Sequence, residues 1–374
     1  MTVRTDESRP ARKGVHSGDD GLEGDRAAYV DSVRRKLLVI GLLAGSLTVV
    51  GTVSLTIGAA TVDHWDVVGL FLSVYTSAYA PGETATMIIL ELRLPRVLMA
   101  MVAGGGLALA GVLLQALLKN PLASPYTLGI GSGAGFGASL AIVLGVGVTG
   151  ASVVPGRWMV ALNAFVFSLV PAIAILALVR LKNASSATMI LAGIAMSYFF
   201  SASTSLLQYL GSDEEVASVV YWMFGSLSRA SWDNLPIVAM TTIPLAIVAL
   251  RWSWDFNALL QGEDVATSLG VQVERIRELG MIVASLITGV TVAFLGTIGF
   301  VGLVAPHLAR MILGSDHRYL IPAAVLLGAI LLVSADAVGR LVIAPEVLPV
   351  GIVTSFVGVP LFLYLILSRQ REYW

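Results

Sequence analysis

Residues 91–125 read ELRLPRVLMAMVAGGGLALAGVLLQALLKNPLASP, and this stretch decides what kind of chain it belongs to. From Val97 to Leu118 no side chain carries a charge. At about 1.5 Å of rise per residue, such a helix crosses the ~30 Å hydrocarbon core of a bilayer. Gly104, Gly105, Gly106 and Gly111 lie inside it. In lipid, glycines on a helix face let two backbones come close.

Working outward, apolar stretches of similar length recur with short polar breaks. The spacing predicts ten spans, Leu37–Ile57, Arg96–Leu118, Tyr126–Val148, Trp158–Val179, Thr188–Leu210, Leu235–Trp252, Leu279–Ile298, Gly299–Leu313, Tyr319–Val338 and Val350–Leu367. Gly299–Leu313 is the shortest of them and strains the length rule. Composition agrees. Of 374 residues, 56% are hydrophobic and 13% charged, and mean hydropathy is +0.85. A soluble domain carries roughly 25% charged residues, so this chain could not cover a water-facing surface. The fold class read here is an all-α polytopic membrane protein. Residues 1–33, polar and mixed in charge, read as a disordered cytoplasmic tail rather than a signal peptide, with 34–374 as one membrane domain.

Lysine and arginine set the orientation. With the N-terminus inside, thirteen fall on the inner side, five on the outer side (Arg93, Arg96, Arg157, Arg229 and Arg340) and five in the tail, which accounts for all 23. Both termini are therefore expected to be cytoplasmic. All seven tryptophans lie at predicted span ends or in loops, where indole rings prefer to sit. The spans also divide five and five around 253–278, the arrangement of an inverted repeat.

Several function classes drop out. Net charge is −1, so no basic field points to nucleic acid. The chain has no cysteine, which removes disulfides and thiolate sites. None of Lys13, Lys36, Lys119 and Lys182 follows a glycine, so there is no phosphate-binding loop for ATP. No span centre carries an ionisable side chain, as ion-coupled carriers normally do.

Three segments carry candidate chemistry. The first is Arg93 and Arg96, on the predicted outer side with Arg340. Outer arginines either offer guanidinium forks to carboxylates of an external partner or snorkel to headgroups. The second is the inner stretch from Asp255 to Gly270. Asp255 suits an N-cap, Gly262 a break, and Gly270 the C′ position after a second short helix. Acidic Glu263 and Asp264 beside apolar Leu259, Val265 and Leu269, with no Lys or Arg, suit a knob for a cytoplasmic partner better than a membrane-surface helix. The third is His307, Asp316 and His317, whose spacing suits capping and ion pairing rather than a metal site. Asp336 and Arg340 share a helix face and can pair. Gly129, Gly133 and Gly137 recur every fourth residue and read, like Gly104 and Gly105, as a packing face.

The motifs LRLPR, KNPLASP, GFVGLVAPHLAR, DHRYLIP, ADAVGR and VLPVGIVTSFVGVPLF, in that order, resemble the FecCD family. These are permease subunits of binding-protein-dependent ABC importers for iron–siderophore complexes, haem and cobalamin. The resemblance runs from Glu91 to about Leu367. It implies a ten-span subunit of the plasma (inner) membrane that pairs with a second permease subunit, identical or paralogous. Two ATP-binding subunits, which hold the ATP and Mg, would lie below, and an extracytoplasmic solute-binding protein above. It implies docking roles for Arg93, Arg96 and Arg340, and coupling roles for Leu259, Glu263, Asp264, Val265, Leu269 and Gly270. It places Thr188–Leu210 and Val350–Leu367 along the pathway, with Ser201, Ser203, Thr204 and Ser205 as candidate lining groups. No catalytic residue, cofactor or metal is expected in this chain. One departure is VLPVG, where family members often carry an acidic residue before the leucine; here Glu346 stands two residues earlier. The expected cargo is an iron–siderophore complex, with cobalamin or haem as the alternative. A secondary transporter or a non-transporting scaffold is a remoter reading.

Overall fold

Each predicted apolar stretch becomes a helix in a computed structural model of the chain, which describes residues 18–58, 60, 62–72, 82–148, 156–182 and 185–368. The helices are α1 (Gly18–Thr56), α2 (His64–Leu72), α3 (Glu83–Met87), α4 (Leu94–Leu117), α5 (Ile130–Val143), α6 (Gly156–Lys182), α7 (Ser186–Leu210) and α8 (Asp213–Met223). They continue with α9 (Leu235–Arg251), α10 (Ser253–Leu260), α11 (Glu263–Ser268), α12 (Val273–Leu295), α13 (Val301–Leu313), α14 (His317–Leu341) and α15 (Val350–Ser368). No strand occurs among the described residues.

Six of the helical stretches are long and apolar enough to cross a membrane, and α9 with α10 makes a seventh, bent by 52°. The remaining three spanning positions fall to the shorter helices α5, α13 and α15. Ten spans were expected, and helices stand at all ten places.

The expected disordered tail is corrected in part. Residues 18–33 continue α1, while residues 1–17 lie outside the described residues. Extending a formed helix costs far less than nucleating one.

Glycines set the core. A Cβ on Gly104 would sit 2.3 Å from the Gly328 carbonyl oxygen of α14, and one on Gly105 would sit 3.0 Å from Val325. Along α5, a Cβ on Gly133 or Gly137 would come within 2.4 Å of the Phe167 or Asn163 carbonyl of α6. Gly129 has a separate duty: it starts α5 at φ +83, in the left-handed region that glycine tolerates. The packing-face reading therefore holds for α4 against α14 and for α5 against α6.

The side-chain contacts respect the predicted sides. Lys119 and Arg277 pair with Glu263, Arg180 with Glu278, and Arg318 with Asp316, all on the inner side. Arg96 and Arg340 pair with Asp336, and Arg157 with Asp233, all on the outer side.

Candidate functional site

An open cleft of about 900 Å³ runs between α7 and α15. Ser201, Thr204, Ser205 and Gln208 line it from α7, and Ser355 and Phe356 from α15. Its back wall is Tyr126, Thr297 and Gly299, and no lining residue is ionised in type. On either side the helices leave large apolar residues uncovered, among them Tyr198, Phe199 and Tyr209 of α7 and Phe356, Val357 and Tyr364 of α15.

The back wall exists because α13 is short. Thirteen residues rise only about 20 Å, so Gly296–Phe300 stays non-helical within the protein. Irregular backbone is tolerated at membrane depth where its polar groups find partners or line a cavity. Here the Ile298 N–H donates to the Tyr126 hydroxyl at 2.8 Å, and the Thr297 hydroxyl donates to the Met223 carbonyl. Gly296 at φ +79 and Phe300 at φ +66 make the reversal. Opposite them, a Cβ on Gly351 would lie 2.2 Å from the Phe224 carbonyl oxygen, so α15 begins in direct contact with the end of α8.

Of the expected lining groups, Ser201, Thr204 and Ser205 face this cleft and Ser203 does not. The Ser203 hydroxyl donates to the Phe199 carbonyl at 2.8 Å. Sequence reasoning missed Tyr126, Gln208, Thr297 and Ser355. The α15 positions were findable, since Gly351, Ile352, Ser355, Phe356 and Val359 recur at helical spacing.

The arginines expected to dock a partner are placed differently. Arg93 and Arg340 are 6% and 7% exposed. The Arg93 guanidinium donates to the carbonyls of Leu55 and Ala60, at 2.7 and 2.5 Å. Arg340 donates to the carbonyls of Ser54 and Ile57 and to the Ser54 hydroxyl. Ser54 and Leu55 lie in the last turn of α1, where carbonyls have no intrahelical partner, and Ile57 and Ala60 follow it, so the two arginines fasten the end of α1. Arg96 forks onto Asp336 at 2.8–3.0 Å and reaches the Ser228 hydroxyl. The predicted Asp336–Arg340 pair forms at 3.0 Å as a charge contact rather than a directed hydrogen bond. Burial thus turns Arg93 and Arg340 away from the outer surface and gives them a structural task at the end of α1.

On the inner side, α10 and α11 divide the expected coupling segment into a buried anchor and an exposed tip. Phe256, Leu259 and Ala266 are buried, whereas Asp264, Val265, Leu269 and Gly270 are exposed. Gly262 at φ +116 separates the helices. Gly270 closes α11 as expected, with its N–H on the Thr267 carbonyl and the Val271 N–H on the Ala266 carbonyl. Asp255 is not the N-cap; α10 begins at Ser253 and carries Asp255 in its first turn, where the dipole favours it. Glu263 faces back to the body. Partial burial alone would raise its pKa, but hydrogen bonds and charge from Lys119 and Arg277 hold it below the ordinary value.

Asp316 caps α14, accepting from the Arg318 N–H at 3.1 Å. Burial alone would push this carboxyl up. The Arg318 guanidinium and the Asn257 amide outweigh burial and hold it at about 2. His317 is buried beneath α10, with its backbone N–H on the Asn257 side-chain oxygen at 2.8 Å.

Packed spanning helices around an open and weakly polar cleft, with the short α11 exposed at one end, are the arrangement of a membrane permease. The chain belongs to the FecCD transport family, whose model matches residues 46–368. A Methanocaldococcus jannaschii protein named as an ABC transporter permease is 49% identical over 78% of this chain and 84% of its own length. The hemin transport system permease HmuU of Yersinia pestis is 40% identical, over 76% of this chain and 84% of its own. The cobalamin import permease BtuC of Halobacterium salinarum is 36% identical, over 84% and 85% respectively. A solved structure assigned to a metal-chelate type ABC transporter, in an inward-facing conformation, aligns at TM-score 0.77 with 30% identity, covering 88% of this chain and 99% of its own. The protein is therefore a multi-pass ABC importer permease of this family.

Proposed function

We propose that this permease, paired with a second permease subunit, carries an iron–siderophore complex across the plasma (inner) membrane by alternating access. Two ATP-binding subunits seat on α10 and α11, and an extracytoplasmic solute-binding protein delivers the cargo. The observation that carries this reading is the cleft, with hydroxyl, amide and aromatic walls and no ionised lining residue. A small hydrated anion entering such walls would lose water without gaining a compensating charge. A bulky chelate wraps its metal in organic atoms and needs only shape and a few hydrogen bonds. A cleft that holds its cargo weakly also leaves the two conformations close in energy, since a ligand shifts them only by its differential affinity. Cobalamin and haem are bulky enough to share this argument.

The test is uptake of radiolabelled iron–siderophore, cobalamin and hemin, side by side, in a strain lacking the gene and in the rescued strain. Rescue of iron–siderophore uptake alone is the expected result; rescue of cobalamin or hemin alone would replace the cargo. Leu269→Asp, which changes only the exposed tip of α11, is expected to abolish the rescued uptake while the chain still reaches the membrane. Full uptake by that variant would count against an ATP-driven mechanism and favour a secondary transporter.

The outer face gives the delivery protein a chemical character. With Arg93, Arg96 and Arg340 turned inward, Glu83, Glu91, Asp213, Glu214 and Glu346 are exposed, while exposed Arg157 is paired with Asp233. The protein that docks there is expected to present basic groups. Replacing Glu91 and Glu214 by lysine should weaken binding of the solute-binding protein to the nanodisc-embedded transporter, and high salt should weaken it in the parent. Tighter binding by the lysine variant would contradict that polarity.

A further inference from the structure

We infer that Asn257 is a positioning residue that makes α10 and the α13–α14 turn one moving body, so that the coupling helices act on the cleft through α13. This rests on the coupling role proposed for α10 and α11.

The fastening is specific. The Asn257 amide donates to Asp316 at 2.8 Å. Its oxygen accepts from the His317 backbone N–H at 2.8 Å and lies 3.0 Å from the His317 Nδ1. One side chain thereby uses both its donor and its acceptor ends on the first residues of α14. Two ring contacts brace it: Phe256 against His317 at 5.5 Å, and the Arg318 guanidinium over Trp254 at 4.4 Å. Arg318 in turn forks onto Asp316. By contrast, the next element, α11, is tied to the body through the half-exposed Glu263 pairs. A push on α11 passes into α10, and α10 is bolted to the turn Gly314–His317.

From that turn α13 leads back to the cleft. At its far end stands Phe300, whose ring lies so close to α15 that a Cβ on Gly358 would meet it at 2.5 Å. Thr297 and Gly299, just before it, are cleft walls. Thirteen residues of helix with one end on the coupling anchor and the other on the cleft wall act as a lever. A helix transmits displacement because its packed neighbours allow discrete arrangements rather than continuous bending.

The test needs no knowledge of the cargo. In the purified complex with its ATPase, reconstituted in nanodiscs, Ser355→Cys reports cleft accessibility through its rate of reaction with a maleimide, with and without ATP. The chain contains no other cysteine. Asn257→Ala is expected to shrink the ATP-dependent change in that rate about tenfold, within the usual range of coupling between sites, while ATP hydrolysis and copurification of the ATPase persist. The exchange Asn257→Asp with Asp316→Asn rebuilds the donor–acceptor pair and should restore the response. An unchanged response in Asn257→Ala overturns the inference. So does loss of copurified ATPase in step with the response, because that is the mark of a merely structural role. If Asn257→Ala does not accumulate, failure of the exchange pair to restore the response does the same. Absence of any ATP-dependent change with Asn257 intact would instead overturn the importer reading beneath it.

Discussion

Asp336→Ala is expected to cost most of the chain's stability, read as loss of membrane-integrated protein and a large fall in the detergent melting temperature. Asp336 is 2% exposed and stands between Arg96 and Arg340, with Arg93 also in the cluster's field. Its removal leaves buried guanidiniums without their counter-charge, a change that typically costs about 3–5 kcal/mol. Arg340 also holds the carbonyls that end α1, so the damage should spread to that helix. Asp336→Asn, which keeps the shape and an acceptor, should lose less. If Asp336→Ala accumulated and melted like the parent, the arginine cluster would not be the fastening described here.

The second large effect is Gly111→Ala. A Cβ at Gly111 would sit 1.7 Å from the Gly302 carbonyl oxygen, so α4 and α13 could not keep their separation. No rotamer relieves a clash with backbone, and overpacking of this kind costs about 3 kcal/mol or more. Because α13 follows directly on the cleft wall at Thr297 and Gly299, uptake should fall even in protein that survives. Gly45→Ala on α1 is the control, with nothing within 4 Å of its new methyl. It should be neutral or slightly stabilising, since alanine is the better helix former by roughly 1 kcal/mol. Equal behaviour of the two variants would show that close α4–α13 packing is not required.

Much of the architecture was legible because the bilayer imposes a length rule on each span. Every apolar stretch found its helix, and the small-residue spacing of Gly133 and Gly137 found its face. Partners far apart in sequence were not legible. Nothing near Arg96 announces Asp336, 240 residues away, and nothing near Gly111 announces Gly302. The outer arginines show why this matters. Charge bias predicts their side of the membrane, but whether a guanidinium meets a partner protein or its own helix end depends on burial. The break at Gly262 and the stop at Gly270 were read correctly because both have local signatures. Ser203 was misplaced because adjacent serines on one helix point to different faces, and the register relative to α15 is a tertiary fact.

The α7–α15 cleft is expected to be the water-accessible part of the translocation route. The absence of native cysteine makes single-cysteine labelling of the embedded protein a direct test. Ser205→Cys and Ser355→Cys, both in the cleft, should react readily with a membrane-impermeant thiol reagent, and Ser168→Cys and Ser285→Cys, both buried, should not. Inert cleft positions, or labelling of the buried pair at the same rate, would contradict it.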